Sequence, residues 1–440
     1  MKKSLKVVIP AALALSTIMA TTVYADPQSR PNGPYLENEQ NVSLSSFMSN
    51  EELYDRLKKL EESSNGKMKL EIAGYSNQTL DGYSTEDTEG EPLYVVKFGD
   101  ADPNKKRILI TTQIHGNEQI GTEAAIDIIQ KLSSGAKEVN DILDKVSIWI
   151  MPRINPEGSD NLYEGTWYPT RYTHQTWDPL KIELPEGTQA PWYYNADGSE
   201  RAQNNNGRIV YGIPGYDQNR DYNPNLDFKI EDLNKDEVAE FLNNPSTNNS
   251  NYGGFYVTAE ARTVTNVFKE FKPDVFVDVH HRGFNTVSDE DNRSVPVQLA
   301  AVVATDSYTD PFTGKHYEVD DEVLKLGKQV NALSYLTLQR GNSHFGAIQK
   351  YPDVNLPGTA LGAFALNDAA IMLIEIKGQS QTLGQKQSGM LKETVTAPLY
   401  EVFKGLADGS IHTIDPQIYD DIPPSANRIS DPTTRDDEGF

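Results

Sequence analysis

Two segments of the chain carry apolar residues at helical spacing. Leucines recur three or four residues apart within residues 51–60, and isoleucine and alanine follow the same spacing within residues 119–132. Side chains three and four residues apart lie on one face of an α-helix. The pattern therefore predicts two amphipathic helices, each with one apolar face turned towards a core.

Short apolar runs predict strands around these helices. An alternating stretch follows Lys67, and residues 108–110 are apolar at every position. Continuous apolar runs are typical of strands that are covered on both faces. Since helices and strands alternate along the chain, we predict an α/β fold in which helices cover both faces of an open sheet. The main apolar runs lie at residues 107–114, 146–151, 274–279 and 371–376.

One region interrupts this alternation. Residues 160–214 have no clear period, but they contain three of the four tryptophans and several tyrosines. A segment of this length within a domain is usually a functional loop or an insertion with its own packing. Two interpretations stay open: an insertion that packs on its own aromatic side chains, or the wall of a cleft that stacks on a substrate.

The first 25 residues have the pattern of an export signal. Three lysines precede an apolar run over residues 7–20, and Ala25 supplies the small residue expected at a cleavage site. The run is too short to span a membrane comfortably, and Pro10 interrupts it. We therefore predict cleavage after Ala25 and a secreted, soluble protein without stable membrane association.

Both ends of the expected mature chain are polar. Residues 26–46 are rich in asparagine, proline and serine, and residues 411–440 contain four prolines among acidic residues. Such composition favours extended or loosely docked segments. We expect an N-terminal extension, one domain over residues 47–410 that includes the aromatic region, and a C-terminal tail.

Charge and cysteine content exclude several classes of function. The formal charge is −24, and loss of the three signal lysines makes it −27. An acidic surface repels phosphate backbones, so we expect no nucleic-acid partner. The chain has no cysteine, which excludes disulfide bonds, thiolate metal sites and cysteine nucleophiles. Any catalysis must use imidazole, carboxylate, hydroxyl or basic side chains.

His115 and Glu118 lie where the strand over residues 107–114 gives way to the helix over residues 119–132. At a strand-to-helix turn, two side chains at this spacing can face one metal ion. Hydrolytic zinc sites commonly take three nitrogen or oxygen ligands from the protein and leave a fourth position for water. A glutamate at a helix start also stabilises the helix by itself. A metal site and a simple helix start therefore remain alternatives for this motif.

His280 is the candidate for a third ligand. It follows the strand over residues 274–279, and ligands of open α/β sheets bind at the carboxyl ends of the strands. Asp278 lies two residues earlier, on the same face of the strand, and can accept a hydrogen bond from the imidazole. The alternative is that His280 and His281 are surface residues at a strand end.

Glu375 is a single carboxylate near the end of the apolar strand over residues 371–376. Burial of an unpaired carboxylate is costly, so this residue needs a partner or a function. The raised pKa of a buried carboxyl group suits a general base that acts on water. An ion pair with Lys377, which strand alternation places on the same face, is the alternative.

Two further motifs lie between these segments. Residues 155–158 read Asn-Pro-Glu-Gly after the strand over residues 146–151, and Asn219 and Arg220 lie in the polar run 217–221. A guanidinium can hold a carboxylate through two parallel hydrogen bonds, and an amide can add another. For Arg220 taken alone, a solvated surface position is the alternative.

In this order the motifs resemble the zinc carboxypeptidase family, the metallopeptidases of the pancreatic carboxypeptidase A type. The family pattern is His-x-x-Glu, Asn-Pro-Asp/Glu-Gly, Asn-Arg, a strand-ending His and a strand Glu, and it matches residues 50–406 step by step. The resemblance implies a mixed, mostly parallel sheet of about eight strands. It also implies one Zn²⁺ per chain, bound by His115, Glu118 and His280. His280 is preferred over His281 because the family's strand ends Asp-x-His.

The resemblance also implies roles in substrate binding and catalysis. Asn219 and Arg220 are expected to bind the terminal carboxylate of the substrate, and Glu375 is expected to act as general base and proton shuttle. The family has a further arginine that polarises the scissile carbonyl. Arg201 is the better match for it, with Arg208 and Arg171 as rivals. A mobile tyrosine closes over the substrate in the family, and Tyr351 lies at a plausible distance before the strand glutamate.

The sequence therefore predicts a secreted zinc carboxypeptidase that acts on peptide or protein substrates, and we expect a monomer. A cell-wall peptidase of the same fold and a non-catalytic protein that binds wall or polysaccharide are the alternatives. The floor of the specificity pocket is expected within residues 361–370, whose small and apolar character favours neutral or apolar terminal side chains.

Overall fold

The computed structural model of the protein describes residues 47–76, 90–163, 166–167, 169–201, 208–210, 213–282, 287–288, 291, 295–303, 307–340, 347–377 and 384–425. The predicted signal sequence, the N-terminal extension and residues 426–440 lie outside this part of the chain, so what we expect of them stays a prediction. Within the described part, no helix combines the length and apolar character that crossing a bilayer requires.

The described residues contain one eight-stranded sheet. Its strands, numbered along the chain, are β1 (Lys69–Tyr75), β2 (Pro92–Phe98), β3 (Lys106–Thr112), β4 (Val146–Met151), β5 (Val275–Arg282), β6 (Val297–Ala300), β7 (Ile348–Lys350) and β8 (Ala370–Lys377). Across the sheet the order is β1-β2-β4-β3-β5-β8-β6-β7. The central strands β4, β3, β5 and β8 run parallel to one another, as do β6 and β7. The other neighbours are antiparallel. The predicted mixed, mostly parallel sheet is confirmed.

Helices lie on both faces of this sheet, as predicted. The two helices predicted from apolar spacing are α1 and α2. Helix α1 begins with a capping box, in which the Ser49 side chain accepts from Glu52 N and the Glu52 carboxylate accepts from Ser49 N. The helices are α1 (Asn50–Ser63), α2 (Ile120–Ser133), α3 (Lys137–Leu143), α4 (Pro156–Ser159), α5 (Lys235–Asn243), α6 (Ala259–Phe271), α7 (Asp321–Gln339), α8 (Ala360–Ala365), α9 (Gly384–Asp408) and α10 (Gln417–Asp420).

The sheet separates two hydrophobic cores. Helices α1, α2, α3, α7 and α9 contribute to the first core, and α5, α6 and α8 contribute to the second. Alternate residues of each central strand point into opposite cores. In β5, for example, Val275 and Val277 lie in the first core and Phe276 lies in the second. The even-numbered positions of β5 therefore share the face that α6 and α8 cover.

The aromatic region consists of short paired segments whose aromatic side chains contact both one another and the rest of the domain. Trp167 is buried against Phe47, with ring centroids 6.0 Å apart, and its Nε1 donates to Ser159 O at 2.8 Å. The buried Tyr193 hydroxyl donates to Asp221 Oδ1 at 2.7 Å. These contacts join the region to the rest of the domain, since Phe47, Ser159 and Asp221 lie outside residues 160–214. The short strands are Leu162–Tyr163, Thr166–Trp167, Thr173–His174, Tyr194–Asn195, Ser199–Arg201, Arg208–Val210 and Gly215–Tyr216.

The chain remains packed beyond residue 410, where the sequence favours a loosely docked tail. Helix α10 buries Tyr419, whose hydroxyl accepts a hydrogen bond from Ala301 N at 3.0 Å. Residues 423–425 then run beside β7: Lys350 N donates to the Pro423 carbonyl at 2.7 Å, and Ser425 N donates to the Lys350 carbonyl at 3.0 Å. The folded domain therefore extends at least to residue 425, because apolar side chains after residue 410 find partners on the domain.

Loss of the Tyr419 hydroxyl tests this packing. In Tyr419→Phe the buried Ala301 N–H loses its acceptor, which is expected to lower the free energy of unfolding by about 1–3 kcal/mol in a urea titration. Tyr222→Phe is the matched control, because the Tyr222 hydroxyl is buried and has no hydrogen-bond partner in the described part of the chain. Equal losses of stability in the two variants would contradict the assignment.

Candidate metal centre and substrate cleft

His115 and Glu118 lie in the turn between β3 and α2. Gln113 has a positive φ of 55°, which turns the chain away from the strand, and its side chain donates to Gly116 O at 2.7 Å. A Cβ atom at Gly116 would lie 2.3 Å from the carbonyl carbon of Gly158. Only glycine permits this approach. The His-x-x-Glu turn and the Asn-Pro-Glu-Gly turn are therefore packed directly against each other.

Strands β5 and β8 position the other two predicted residues. The two strands are parallel, and His280 of β5 pairs with Glu375 of β8. Phe276 on β5 and Leu373 on β8 belong to the second core. Because side chains alternate along a strand, His280 and Glu375 lie on that same face. They reach its end at the carboxyl edge of the sheet, where the His-x-x-Glu turn also lies.

The structure brings His115, Glu118 and His280 together as a buried cluster. One ligand atom from each residue lies within 4.8 Å of the others. His115 Nδ1 is 2.8 Å from Glu118 Oε1, and His280 Nδ1 is 2.9 Å from Glu118 Oε2. The two Nδ1 atoms are 3.2 Å apart. Two imidazole nitrogens and a carboxylate form a donor set that zinc accepts in sites with an open fourth position. The three residues therefore fit the predicted Zn²⁺.

A second carboxylate lies behind each imidazole. His115 Nε2 is 3.1 Å from Asp217 Oδ1, and His280 Nε2 is 2.7 Å from Asp278 Oδ2. Such carboxylates fix the tautomer and orientation of metal-binding histidines. Sequence reasoning identified Asp278 but gave Asp217 no role. The sequence feature that could have identified Asp217 is its position in the same polar run as Asn219 and Arg220.

The charges in this cluster stabilise one another. Burial favours the neutral carboxyl group, but His115 and His280 hold the pKa of Glu118 well below its usual value. Burial likewise opposes the imidazolium, but Asp278 and Glu118 raise the pKa of His280 well above its usual value. Glu118 and His280 therefore each favour the charged form of the other. An ion at the centre of the cluster would take the place of the imidazole protons as the positive charge.

His281 has a different partner from its neighbour. Its Nε2 accepts a hydrogen bond from Ile120 N at 3.0 Å, and burial lowers its pKa to about 4, which keeps the ring neutral. Helix α2 begins after Gln119, which makes no side-chain cap. His281 therefore satisfies a free N–H at the first turn of α2, and this contact holds the helix that follows Glu118.

Among the arginines whose side chains the structure describes, Arg171 contacts the metal-ligand cluster. Its Nη1 lies 3.2 Å from His115 Nδ1 and 3.7 Å from Glu118 Oε1, and its Nη2 lies 2.9 Å from Asp217 Oδ2. Burial opposes its charge, but Asp217 and Glu118 raise its pKa. Asn155 of the Asn-Pro-Glu-Gly motif donates to the Arg171 carbonyl at 3.1 Å. That motif therefore positions this arginine.

Arg201, the match favoured from sequence, ends the short strand Ser199–Arg201. Its side chain and that of Arg208 lie outside the residues whose side chains the structure describes. The prediction for Arg201 therefore stays a prediction, whereas Arg171 has a defined place beside the ligands. The sequence favoured Arg201 because residues 201–205 match the family motif better, although the insertion over residues 206–214 blurs the alignment there.

Asn219 and Arg220 line the same cleft as the ligand cluster. The Asn219 side chain is fixed at both ends: Oδ1 accepts from Ala360 N at 3.1 Å, and Nδ2 is 3.2 Å from His280 Nε2. Arg220 is 6% exposed, and its Nη1 donates to Asn219 O at 2.8 Å. Within the described part of the chain, Arg220 Nε is buried without a hydrogen-bond partner. This cation therefore has capacity for an anion from solution.

Glu375 also lines the cleft. Burial raises its pKa, and His280 only partly offsets this effect. Its Oε2 has no hydrogen-bond partner in the described part of the chain. A carboxylate with a free buried oxygen beside the cluster is placed to accept a proton from a water molecule there.

The rest of the cleft wall is mostly apolar. Tyr351 lines it and is buried, with the Arg282 guanidinium 4.9 Å from its ring centroid. Of the region 361–370, in which the sequence predicts the specificity pocket, Leu361 reaches the cleft and Thr359 precedes it. The remaining apolar lining residues are Val303, Val354, Leu356 and Leu373.

Comparison with known proteins connects this site to a family. Residues 83–287 match the profile of the family described as zinc carboxypeptidase. The matched span contains His115, Glu118, Arg220 and His280 and ends before Glu375. The position of Glu375 relative to the cluster therefore comes from the structure, through the paired strands and the shared cleft.

Curated relatives match over short spans. Carboxypeptidase E of Caenorhabditis elegans is 36% identical over 81 residues, which cover 17% of this chain and 17% of that protein. Carboxypeptidase B of Astacus astacus is 33% identical over 70 residues, which cover 16% of this chain and 23% of that protein. The chain thus spans less than a quarter of the length of the curated relatives it matches.

Solved structures resemble the chain over longer spans. Bovine thrombin-activatable fibrinolysis inhibitor, solved in complex with tick carboxypeptidase inhibitor, is 13% identical with a TM-score of 0.49, over 82% of this chain and 98% of that chain. Carboxypeptidase A from Helicoverpa armigera is 13% identical with a TM-score of 0.47, over 86% of this chain and 76% of that chain. Because these sequence identities and TM-scores are low, we assign no residue of this chain a role from these structures.

The two adjacent histidines provide a test of the metal cluster. His280→Gln removes one of the three ligands, so the purified, dialysed variant is expected to retain less than about a tenth of the zinc bound by the wild type. His281→Gln is the matched control, since its amide oxygen can still accept from Ile120 N. It is expected to retain about one equivalent of zinc by atomic absorption. Normal zinc content in His280→Gln would show that the ligand set is wrong.

Proposed function

We propose that the protein is a secreted, zinc-dependent carboxypeptidase, because residues 83–287 match the zinc carboxypeptidase family. Its substrates are peptides or proteins with a free C-terminal carboxylate, and its reaction is hydrolysis of the last peptide bond. Secretion is included because of the export signal over residues 1–25. We further propose that the protein acts as a monomer.

The observation that carries this proposal is the state of Arg220. Burying a guanidinium is costly, and a buried N–H without an acceptor adds to that cost. Arg220 Nε is such a group, and Arg220 lines the same cleft as the ligand cluster and Glu375. The terminal carboxylate of a peptide supplies the missing acceptor through charge-assisted hydrogen bonds. A cleft that binds this carboxylate beside a hydrolytic metal cluster presents the last peptide bond to that cluster.

The metal contributes Lewis acidity when it is bound: zinc polarises a carbonyl group and makes water a stronger nucleophile at neutral pH. The residues that would hold it are His115, Glu118 and His280, with Asp217 and Asp278 behind the two imidazoles. Since these outer carboxylates fix the rings, the ligands need little rearrangement before an ion binds.

Glu375 carries the proton in this mechanism. Its buried Oε2 accepts a proton from the attacking water, and its raised pKa lets the carboxyl group hold that proton. The protonated carboxyl group then donates to the nitrogen of the leaving amine as the C–N bond breaks. The same residue therefore acts first as general base and then as general acid, and it ends as a carboxylate.

Arg171 stabilises charge on the substrate carbonyl. Its guanidinium lies beside His115 and Glu118, and Asp217 fixes its orientation at 2.9 Å. A positioned N–H donor stabilises the negative charge that develops on the carbonyl oxygen during attack. We assign this role to Arg171, which the sequence ranked as a rival of Arg201.

If the protein only bound its partner without catalysis, the presence of all three metal ligands and Glu375 would be unexplained. The ligand set and the free Glu375 oxygen have no use in a protein that only binds wall or polysaccharide. The described tryptophans also lie outside the cleft lining. No feature of the described residues favours cell-wall peptides over other peptides, so that alternative concerns the substrate and leaves the reaction unchanged.

Glu375→Gln tests the proton-transfer role. The amide keeps the shape of the side chain but cannot accept the proton, so turnover of a blocked dipeptide is expected to fall by about 10²- to 10⁴-fold with zinc content unchanged. Glu123→Gln is the control, because Glu123 also has a pKa raised by burial and lies outside the cleft. Near-normal turnover in Glu375→Gln would remove this residue from the mechanism.

Arg220→Ala tests recognition of the terminal carboxylate. Loss of its charge-assisted hydrogen bonds is expected to lower kcat/KM on free-acid substrates at least roughly 10-fold. Wild type is expected to prefer a free acid to the same peptide amidated at its C-terminus, and the variant is expected to lose this preference. Arg340→Ala, at an exposed position paired with Glu401, is the control. Equal cleavage of acid and amide by the wild type would contradict the carboxypeptidase proposal.

A further inference from the structure

A second cavity lies where the start of helix α1 meets the Asn-Pro-Glu-Gly turn. Its volume is about 1020 Å³, including space open to solvent, and its described lining residues are separate from those of the cleft. Asn50 joins two sides of this cavity: its side chain donates to Pro156 O at 3.1 Å, and its backbone N–H donates to Asp160 Oδ2 at 2.7 Å. The proposed mechanism does not use this cavity.

Acidic side chains predominate in the lining of this cavity. Two cations partly balance them: Lys58 lines the cavity, and Arg153 Nη1 lies 3.7 Å from Asp160 Oδ1. His174 also lines the cavity, but burial lowers its pKa to about 4, so the ring is neutral. When all carboxyl groups are ionised, negative charge is therefore in excess. The acidic lining residues are Glu51, Asp55, Glu91, Glu157 and Asp160.

Glu157 contributes a buried carboxylate oxygen that lacks a donor. The residue is 5% exposed, and Ser76 Oγ donates to its Oε1. Its Oε2 is buried and has no hydrogen-bond partner in the described part of the chain. Burial raises the pKa of Glu157 to about 7, and the Ser76 hydroxyl and nearby backbone N–H groups only partly offset this effect. Because a buried acceptor without a donor is costly, Oε2 has capacity for a donor that a ligand brings.

The Tyr54 hydroxyl supplies a second free acceptor in the same cavity. Its oxygen is buried and has no hydrogen-bond partner among the described residues. Burial raises the pKa of Tyr54, and the carboxylates of Glu91, Glu157 and Asp160 raise it further, whereas Arg153 lowers it. Three carboxylates from two separate parts of the chain therefore lie near one phenol oxygen, which can itself accept from a cationic donor.

The connection between β1 and β2 offers no positive charge to this cavity. Residues 77–89 lie outside the described residues, and their sequence contains four acidic residues and no lysine, arginine or histidine. This connection therefore cannot pair Glu157 with a basic side chain.

The spacing of these groups favours an organic cation over a metal ion. Among the described residues, three potential ligands with atoms within 4.8 Å of one another occur at the cleft, and the carboxylates of this cavity form no such group. A calcium ion needs six to eight oxygen ligands at about 2.3–2.6 Å. A guanidinium group instead presents five N–H donors in a fixed plane, so it reaches acceptors that are spread apart. It has enough donors for Glu157 Oε2, Tyr54 Oη and a further carboxylate.

We propose that this cavity is a second binding site, separate from the catalytic cleft, for a ligand that carries a guanidinium group. Glu157 Oε2 and Tyr54 Oη accept from the guanidinium, and the surrounding carboxylates compensate its charge. An arginine side chain in a peptide and free arginine share this chemistry. The inference goes beyond the proposed carboxypeptidase function and does not depend on it, because it concerns binding and not hydrolysis.

A matched pair of ligands tests the proposal. N-acetyl-arginine amide and N-acetyl-citrulline amide have nearly the same shape, but only the first is charged, and neither has a carboxylate that Arg220 could bind. Calorimetry uses the zinc-loaded protein at about pH 8, which favours the ionised form of Glu157. We expect the arginine compound to bind at one site with a Kd below about 1 mM. The citrulline compound is expected to bind at least about 10-fold more weakly, because it forms no charge-assisted hydrogen bonds.

A comparison with free arginine identifies the source of the guanidinium. It is made in Arg220→Ala, so that binding of the free carboxylate at Arg220 does not contribute. Tighter binding of N-acetyl-arginine amide would support the site and assign it to arginine in peptides. Tighter binding of free arginine would support the site and assign it to the amino acid.

Variants locate the ligand in this cavity. Glu157→Gln keeps the shape of the side chain without its charge and is expected to weaken binding of N-acetyl-arginine amide at least about 10-fold. Tyr54→Phe removes the second acceptor and is expected to weaken binding about 3-fold, which provides a second test if Glu157→Gln does not fold. Asp141→Asn removes an exposed carboxylate outside the cavity, and Glu375→Gln alters the cleft. Both are expected to bind as the wild type does.

Three results would overturn the proposal. Equal affinity of the wild type for the arginine and citrulline compounds would show that the cavity does not recognise the guanidinium charge. Unchanged affinity in folded Glu157→Gln and Tyr54→Phe would place the ligand elsewhere. Calcium chloride that displaces the arginine compound from the wild type, through a calcium site that Glu157→Gln lacks, would make the cavity a metal site. Loss of peptide hydrolysis in the same preparation would contradict the proposed function alone.

Discussion

The parallel register of β5 and β8 is the constraint on which the site depends. It places His280 directly beside Glu375 and at the same time fixes Asp278 and Arg282 on one face of the sheet. A slip of one residue in either strand would turn its polar side chains into the opposite core, which is lined by apolar residues. The apolar residues at alternate positions therefore do more than stabilise the sheet. They also determine which side chains of β5 and β8 meet at the edge of the sheet.

The second requirement is that buried charges compensate one another before any ligand arrives. Glu118 lies between two imidazoles, and each imidazole has a carboxylate behind it. Neutral hydrogen bonds from the Asn-Pro-Glu-Gly turn then hold the loop that supplies Arg171. Within this arrangement, unsatisfied atoms occur at Arg220 Nε and Glu375 Oε2. In a binding site, such unsatisfied donors and acceptors lie where the polar groups of a bound substrate can form hydrogen bonds with them.

Sequence reasoning predicted the parts of the molecule that follow from local periodicity. The central strands and helices α1 and α2 follow from apolar spacing. The meeting of His115, Glu118 and His280 was expected because the motifs resemble the zinc carboxypeptidase family and because parallel strands share a carboxyl edge. Local periodicity could not predict contacts between residues that are distant in sequence. Arg171 is brought to the cluster by a side chain sixteen residues earlier, and His281 caps a helix that precedes it by 161 residues. Residues 411–425 looked like a tail because their few apolar side chains have no period, although each one finds a partner on the domain.

The segment that follows α10 also determines how the sheet ends. Lys350 of β7 pairs with Pro424 in a parallel bridge, whose hydrogen bonds use the Pro423 carbonyl and the Ser425 N–H. In such a bridge the N–H of the middle residue points away from the sheet. Proline has no N–H, so the outermost position offers no donor to an incoming strand. An exposed sheet edge is a template for pairing with another polypeptide, and extended peptides are what this protein is proposed to handle. Pro424 thus makes this edge of the sheet a poor acceptor for strand addition.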